Sequence, residues 1–350
     1  MTEQMKNIAA NRVQLNRPAY VSYGHNDLDE ASAFARDFGL LEAGSIETPV
    51  PTRFFRGYGD LPLTYVVEKT ASPVFLGVTF EVCSVADLER AEHVPGANKR
   101  ESMAHQPGGG ERVSINGPES IPFHVIYGHE FVERKEPPPQ MHPLNYPAES
   151  DENTTRKPRR GEMQRPELGP APIHKLGHCG FAVSDLPNAL AFYTTHFNFV
   201  PSDKVTHPLK PGEELFIFLH IDKGKAFTDH HSFFLTANLL QPVGVHHAAF
   251  ELNDFDVQYI AHEFLKKKGY KPHWGIGRHV AGSQIFDYWH DKSGFVLEHY
   301  TDGDLVNDET SFKEFNMHDT LTTWGPTMPH LSFMAKLRLA LQVILIKVRG

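Results

Sequence analysis

The stretch LGHCGFAVSDLPNALAFYTTHFNF, residues 176–199, has the form of a strand followed by a capped helix. Branched and aromatic residues run up to Val183, Asp185 stands where a helix N-cap belongs, and apolar residues at helical spacing follow it. Three other stretches repeat this pattern, each with a cap at or beside an aspartate: residues 19–40 with Asp27, residues 76–93 with Asp87 and residues 245–270 with Asp254. Because strand-like runs follow each stretch, the sequence predicts four copies of a βαβββ unit.

The four units form two pairs, separated by a segment of different composition. Residues 131–172 are rich in proline and charge and lack apolar periodicity, which is typical of a linker or an extended arm. We therefore predict an α+β protein with two domains of paired βαβββ modules, at residues 16–130 and 173–326. Residues 327–350 form an apolar tail with only basic charges between residues 331 and 350. We expect a helix there that packs on the body or on another subunit, and the alternative is a helix lying on a membrane surface.

The whole-chain composition restricts the class of protein. The 350 residues are 40% hydrophobic and 22% charged, which suits a soluble globular protein of about two domains. A net charge of −9 argues against nucleic acid as a partner, because phosphate binding requires a basic surface. Cys83 and Cys179 cannot form a disulfide framework, and the start of the chain has no apolar core of signal-peptide length. We therefore expect a cytoplasmic protein.

Potential metal ligands occupy matching positions in the repeats. His178 and His247 each lie seven residues before the capping aspartate of their unit. Glu298 lies on the last strand of the fourth unit, in GRHVAGSQIFDYWHDKSGFVLEHY (residues 277–300), where a buried carboxylate would need a partner. Two histidines and one carboxylate from three strands match the facial triad that holds Fe(II) and leaves coordination positions open. Zinc or manganese can use similar ligands.

Spacing and strand parity assign this site to one histidine of a pair and to one half of the chain. His246 and His247 point to opposite faces of a strand, and the spacing from His178 selects His247. The same spacing applied to the first half gives Tyr20, Gly77 and a position near Val125, which do not suit a divalent metal. The N-terminal domain is therefore predicted to be a scaffold without metal, and the C-terminal domain to carry one metal.

These motifs resemble those of the vicinal oxygen chelate superfamily, and within it the type I extradiol ring-cleavage dioxygenases, which include catechol 2,3-dioxygenase. The resemblance covers residues from about 18 to 326. It is carried by LGHCGFAVSD, DHHSFFL, GVHHAAFEL, a late TWGP, and the order of GRH, a tyrosine, DKSG and a glutamate in residues 277–300. It implies the glyoxalase/bleomycin resistance/extradiol dioxygenase fold for each domain.

The resemblance also implies a set of functional residues and a reaction. The metal ligands would be His178, His247 and Glu298, with Fe(II) as the metal. His231 would be the acid–base residue, and His279 and Tyr288 would contact the diol. The implied activity is Fe(II)-dependent cleavage of the aromatic ring of a small vicinal diol by O2, in a protein that forms a homo-oligomer.

The chemistry of these residue types agrees with the implied roles. A bound metal lowers the pKa of the diol oxygens, and an imidazole at His231 can take up and return a proton near neutral pH. Tyr288 can donate a hydrogen bond to a ring oxygen, and His279 can stabilise developing charge. Trp274 and the runs GFAV and SFFL are expected to supply apolar walls.

Two other functions are compatible with the sequence. The first is another enzyme of the same superfamily, either a 2-oxo acid dioxygenase or a glyoxalase-like isomerase; the histidine in HHSFFL and the tyrosine after it favour ring cleavage instead. The second is a binding module that holds a small molecule without chemistry. A complete set of three metal ligands argues against such a module.

Overall fold

Four strand–helix units make up most of this computed structural model, which describes residues 11–138, 161, 165–206, 212–239, 241–316 and 322–327. The first half contains β1 Leu15–His25, α1 Leu28–Phe38, β2 Leu41–Ile46, β3 Thr52–Arg56 and β4 Tyr65–Lys69, then β5 Val74–Val82, α2 Val85–Ala91, β6 Glu101–Ser102, β7 Glu111–Asn116 and β8 Pro122–Tyr127, with a short 3-10 turn at Pro118–Ser120. The second half contains β9 Lys175–Val183, α3 Leu186–His196, β10 Phe199–Thr206, β11 Glu214–Ile221, β12 Thr228–Asp229 and β13 Phe233–Ala237, then β14 Gly244–Glu251, α4 Phe255–Lys267, β15 Lys271–Arg278, β16 Ile285–His290 and β17 Val296–Thr301, followed by β18 Leu305–Val306 and β19 Lys313–Asn316.

Side-chain caps fix the start of each helix. The carboxylates of Asp27, Asp185 and Asp254 each accept a backbone N–H from the first turn of the helix that follows. The second helix begins differently, because the Ser84 hydroxyl accepts the N–H of Asp87. The Asp87 carboxylate is buried and accepts the N–H of Gln14 instead, at 2.8 Å.

The units pair into two mixed sheets, one for each half of the chain. The first sheet has eight strands in the order β2-β3-β4-β1-β5-β8-β7-β6, and the second has nine in the order β15-β16-β17-β14-β9-β13-β11-β10-β19. In each sheet the first strands of two units pair antiparallel at the centre, and the last strand of each unit runs parallel to its first. The predicted fold class, an α+β protein of paired βαβββ modules, is confirmed.

One continuous apolar core joins the two sheets. The Phe80 ring of the first half lies 5.5 Å from the Phe199 ring of the second, and the Tyr23 ring lies 4.5 Å from the Phe295 ring. His299 Nε2 also donates a 2.7 Å hydrogen bond to the carbonyl of Phe38. Each half therefore buries apolar surface of the other, and burial of this kind is the main stabilising contribution to a fold.

Two predicted segments fall largely or wholly outside the described residues. They are most of the proline-rich segment at 131–172 and the tail from residue 328 onward. Within the described part of the chain, no helix has the length and apolar character needed to cross a membrane.

Candidate metal centre

Sheet register brings His178, His247 and Glu298 together on the face of the second sheet that points away from the helices. Ala249 of β14 pairs with His178 of β9 on one side and with Glu298 of β17 on the other. His247 lies two residues before Ala249, on the same strand face. We call this face of the second sheet the site face.

The three side chains meet at short distances. Each imidazole Nε2, of His178 and of His247, lies 3.2 Å from Oε2 of Glu298, and the two Nε2 atoms lie 3.2 Å from each other. One ligand atom from each residue fits within a 4.8 Å group. The predicted triad therefore has the arrangement of a two-histidine, one-carboxylate metal site.

The surroundings of Glu298 fit a bound cation. The residue is 0% exposed, and no donor among the described residues makes a hydrogen bond of good geometry to either carboxylate oxygen. Burial raises the pKa of Glu298, but the adjacent imidazoles of His178 and His247 outweigh burial and bring the pKa well below its ordinary value. A buried carboxylate of this kind needs a positive partner, which a divalent metal between the three side chains would supply.

His246 contacts the back of the site instead of entering it. Its Nδ1 lies 2.8 Å from Nδ1 of His247, on the side of the His247 ring that faces away from Glu298. The group that can hold a metal contains His247 and not His246, in agreement with the spacing. A hydrogen bond to the far nitrogen of a ligating imidazole fixes its tautomer and ring orientation.

His231 lies next to the metal ligands. The centroid of its ring is 4.1 Å from that of His178, and the residue is buried. Burial, followed by the neighbouring His178 and His230, brings the pKa of His231 well below its ordinary value. The structure therefore places an imidazole beside the site in surroundings that favour its neutral form.

Tyr288 and His279 form a hydrogen-bonded pair at the other side of the site. Tyr288 of β16 stands opposite Glu298 in the strand register, and its hydroxyl lies 2.9 Å from His279 Nε2. Its ring lies 5.0 Å from the ring of His247. Burial and then the charge of Glu298 raise the pKa of Tyr288 well above its ordinary value, so the phenol keeps its proton. All six predicted site residues thus lie in one neighbourhood, and the roles of His231, His279 and Tyr288 stay predictions.

Only part of the expected apolar wall lies at the site. Trp274 stacks on Tyr288 with centroids 5.9 Å apart, and the Phe234 ring lies 4.8 Å from the His247 ring. The expectation was wrong for Phe181 of GFAV and Phe233 of SFFL, which belong to the core. The physical reason is strand alternation, which points these two rings to the helix side when His178 and Phe234 occupy the site face.

The first sheet presents no ligands at the equivalent positions. Thr79 pairs with Tyr20 and with His124 in the way that Ala249 pairs with His178 and Glu298. The equivalent of Glu298 is therefore His124, one residue before the predicted Val125, which lies in the core. His124 Nε2 is hydrogen-bonded to the carbonyl of Leu76 at 2.8 Å. A cluster of apolar side chains surrounds Tyr20, and the only group of metal ligands in the described ranges is the one in the second sheet.

Two polar residues behind His231 were not predicted. His230 Nδ1 lies 3.1 Å from His231 Nδ1, and His230 Nε2 lies 2.8 Å from Oδ2 of Asp203 on β10. The adjacent histidines of DHHSFFL were the available signal, because they bring two imidazoles to one short segment. Asp203 is 27 residues earlier in the chain, and nothing in its local sequence marks it.

Comparisons with known proteins agree with this geometry. Residues 175–299 match the family model of the Glyoxalase/Bleomycin resistance protein/Dioxygenase superfamily. Over 172 residues the chain is 28% identical to metapyrocatechase 2 of Cupriavidus necator, a match that spans 49% of this chain and 50% of that relative.

Solved structures give a likeness over most of the fold. A Mn(II)-bound glyoxalase from Novosphingobium aromaticivorans superposes with a TM-score of 0.71 at 20% identity, covering 91% of this chain and 95% of that one. Homoprotocatechuate 2,3-dioxygenase from Arthrobacter globiformis superposes with a TM-score of 0.72 at 18% identity, covering 91% and 90%. The second half of the chain is therefore similar to the Glyoxalase/Bleomycin resistance protein/Dioxygenase superfamily, and the whole chain shares its fold with these solved structures.

Proposed function

We propose that the protein is an Fe(II)-dependent extradiol dioxygenase, which opens the aromatic ring of a small vicinal diol with O2. The observation that carries the proposal is the meeting of His178, His247 and Glu298 with the imidazole of His231 and the phenol of Tyr288. The three ligands would hold the metal, and the other two residues are the acid–base and hydrogen-bonding groups that diol chemistry needs.

Each residue then has a distinct task. A bound Fe(II) would supply Lewis acidity that lowers the pKa of the diol oxygens, together with open coordination positions. His231 accepts a hydroxyl proton of the diol and later returns it to an oxygen of the opening ring. Tyr288, held by His279, donates its O–H to a substrate oxygen, and the rings of Phe234 and Trp274 exclude water from the aromatic ring.

Iron is our choice among metals that share this ligand set. The facial arrangement of two imidazoles and one carboxylate suits non-haem Fe(II) in oxygen chemistry. A relative of similar fold is a Mn(II)-bound glyoxalase, so manganese and isomerase chemistry are the alternative outcome. We also propose that the protein forms a homo-oligomer. We place it in the cytoplasm, a reducing compartment, and the free thiols of Cys83 and Cys179 support this location.

The test is a substrate screen with the protein reconstituted separately with Fe(II) and with Mn(II). Plain, alkyl-substituted and aryl-substituted catechols are supplied in air, and oxygen uptake and product absorbance are followed. We expect one O2 consumed per catechol and a coloured ring-opened oxo acid or semialdehyde. Turnover of methylglyoxal with glutathione without O2, or of a 2-oxo acid with release of CO2, would replace the proposal. Binding without turnover across the panel would indicate a binding module.

A variant at His231 tests the acid–base assignment. His231→Phe should still bind a catechol, because the three metal ligands remain, but should turn it over more slowly by roughly 10²-fold or more. Catechol binding is measured anaerobically from the absorbance of the Fe(II) protein, and turnover from oxygen uptake. Unchanged turnover in His231→Phe would remove His231 from the mechanism.

A further inference from the structure

A chain of three buried polar side chains ends at His231. The carboxylate of Asp203 contacts His230 Nε2 at 2.8 Å, and His230 Nδ1 contacts His231 Nδ1 at 3.1 Å. All three residues are less than one-tenth exposed. His230 contacts the His231 ring at its Nδ1 atom, so the Nε2 atom of His231 is left to act at the metal site.

Hydrogen-bonding capacity fixes where the protons lie. An ionised carboxylate can only accept, so Nε2 of His230 must carry a proton and donate it to Asp203. In the neutral form of His230 this is the single ring proton, so Nδ1 of His230 offers a lone pair and accepts the Nδ1–H of His231. The result is a His231 tautomer whose Nε2 has a free lone pair, which is the form needed to accept a proton from a substrate.

The surroundings of His230 hold this chain in place. The His230 carbonyl accepts the Ser202 hydroxyl at 2.6 Å, and its N–H donates to the carbonyl of Asp304 at 2.9 Å. Gly282 lies against the ring, since a Cβ at that position would be 2.8 Å from His230 Nδ1. His230 therefore has its backbone fixed from two sides and its ring fixed by Asp203.

We propose that Asp203 and His230 are positioning residues that set the tautomer and ring orientation of His231, so that its Nε2 accepts the substrate proton. Neither residue touches the metal ligands or the substrate in this scheme, and both act through His231. The inference rests on the proposed function for the fate of the proton, but the tautomer itself is a property of the folded protein.

The first measurement reads the tautomer without any turnover. Protein labelled with 15N in its histidines is loaded with Zn(II), a diamagnetic ion, and the ring nitrogens are assigned by NMR with the help of His230→Gln and His231→Phe. We expect the proton of His231 on Nδ1 and that of His230 on Nε2 in the wild type. In Asp203→Leu the Nδ1–H form of His231 should lose its dominance, whereas Asp203→Asn, which keeps an acceptor oxygen, should retain it.

The second measurement separates positioning from binding. Asp203→Leu should lower kcat on the order of 10-fold, less than His231→Phe, with KM for the catechol changed by less than about twofold. Asp203→Asn should recover most of the loss. Lys204→Leu is the matched control, because Lys204 is on the same strand but pairs with Glu314 at the surface, and it should behave as wild type.

The outcomes separate this inference from the proposed function. A wild-type protein with the Nε2–H tautomer at His231, or an Asp203→Leu variant with unchanged tautomer and kcat, would overturn the inference. A shifted tautomer without any change in kcat would also overturn it. If the expected tautomers are found but no catechol is turned over, the proposed reaction fails while the Asp203–His230–His231 arrangement stands.

Discussion

Glu298 shows how one buried carboxylate can define a site. It is fully buried with two imidazole nitrogens 3.2 Å from its carboxylate, and a nitrogen that donates a proton to the carboxylate cannot also bind a metal. The sequence could predict His178 and His247 because both lie seven residues before a capping aspartate. It could predict Glu298 because this residue follows a turn and falls on a strand. It could not predict Asp203, because a partner from a different strand is found only when the sheet register is known.

The metal ligands make the first residue-scale prediction. His178→Ala, His247→Ala and Glu298→Ala should each lose Fe(II) after reconstitution, since each removes a coordination bond. His246→Ala should keep most of its iron, because His246 only supports His247 from behind. Elemental analysis of the purified, desalted variants measures this, with His93→Ala, an exposed histidine on the first half, as the control. If His246→Ala loses its iron and His247→Ala keeps it, then His246 is the metal ligand and His247 the supporting residue.

At the scale of single elements, helix caps and strand alternation explain most of what could be predicted. Three of the four caps are the predicted aspartates, and the fourth is Ser84, near the predicted Asp87. The sequence could not distinguish these two because either side chain can cap a helix. The position predicted near Val125 is His124 in the structure, one residue earlier, because the length of the loops between β5 and β8 leaves the pairing register open.

Gly39, which follows α1, should be intolerant of substitution. Its φ of 114° is left-handed, and a Cβ there would lie 1.8 Å from the carbonyl oxygen of Ala171. Gly269, which follows α4, also has a positive φ of 81° but has open space around it. Left-handed backbone alone costs an alanine about 1–2 kcal/mol, so Gly269→Ala should lose about that much and Gly39→Ala clearly more. Urea unfolding of both variants tests the difference, and equal losses would show that the Ala171 contact yields easily.

At the scale of the whole molecule, the contact between the two halves includes a buried histidine and a buried carboxylate. His25 of the first half bonds through Nδ1 to Ser293 Oγ at 2.8 Å and lies 3.9 Å from Asp291 of the second half. Burial lowers the pKa of His25 to about 4 and raises that of Asp291 to about 7. Both groups are therefore neutral in the folded protein over much of the range between these values. Such a long-range pairing has no signature in the local sequence.

The two groups should affect stability with opposite dependence on pH. In an unfolded chain their pKa values are about 6.5 for histidine and 3.9 for aspartate. The stability from Asp291 is complete below about pH 3.9 and is lost as pH rises towards 7, whereas that from His25 is complete above about pH 6.5 and is lost as pH falls towards 4. Between about pH 4 and 6.5 the unfolding free energy falls with pH through Asp291 and rises with pH through His25, so the two contributions cancel.

Replacing one of the two groups should therefore reveal how the other makes the unfolding free energy depend on pH. Relative to wild type, the unfolding free energy of Asp291→Asn should rise with pH by up to about 1.4 kcal/mol per unit between pH 4 and 6.5, and that of His25→Asn should fall by a similar amount. Urea unfolding at several pH values gives both differences. Parallel pH profiles for the two variants and the wild type would show that neither group is neutral in the folded state.

The first sheet has a further consequence for protein design. Gly77 stands where the second sheet has His247, but its φ is 127°, a positive value that residues with a side chain rarely adopt. The main chain of β5 thus differs from that of β14 at the position where this strand would have to present its ligand. Exchanging Tyr20, Gly77 and His124 for two histidines and a glutamate would not copy the centre into the first half. The difference between the halves is built into the backbone, so a redesign would have to rebuild strand β5 before it could add a second metal.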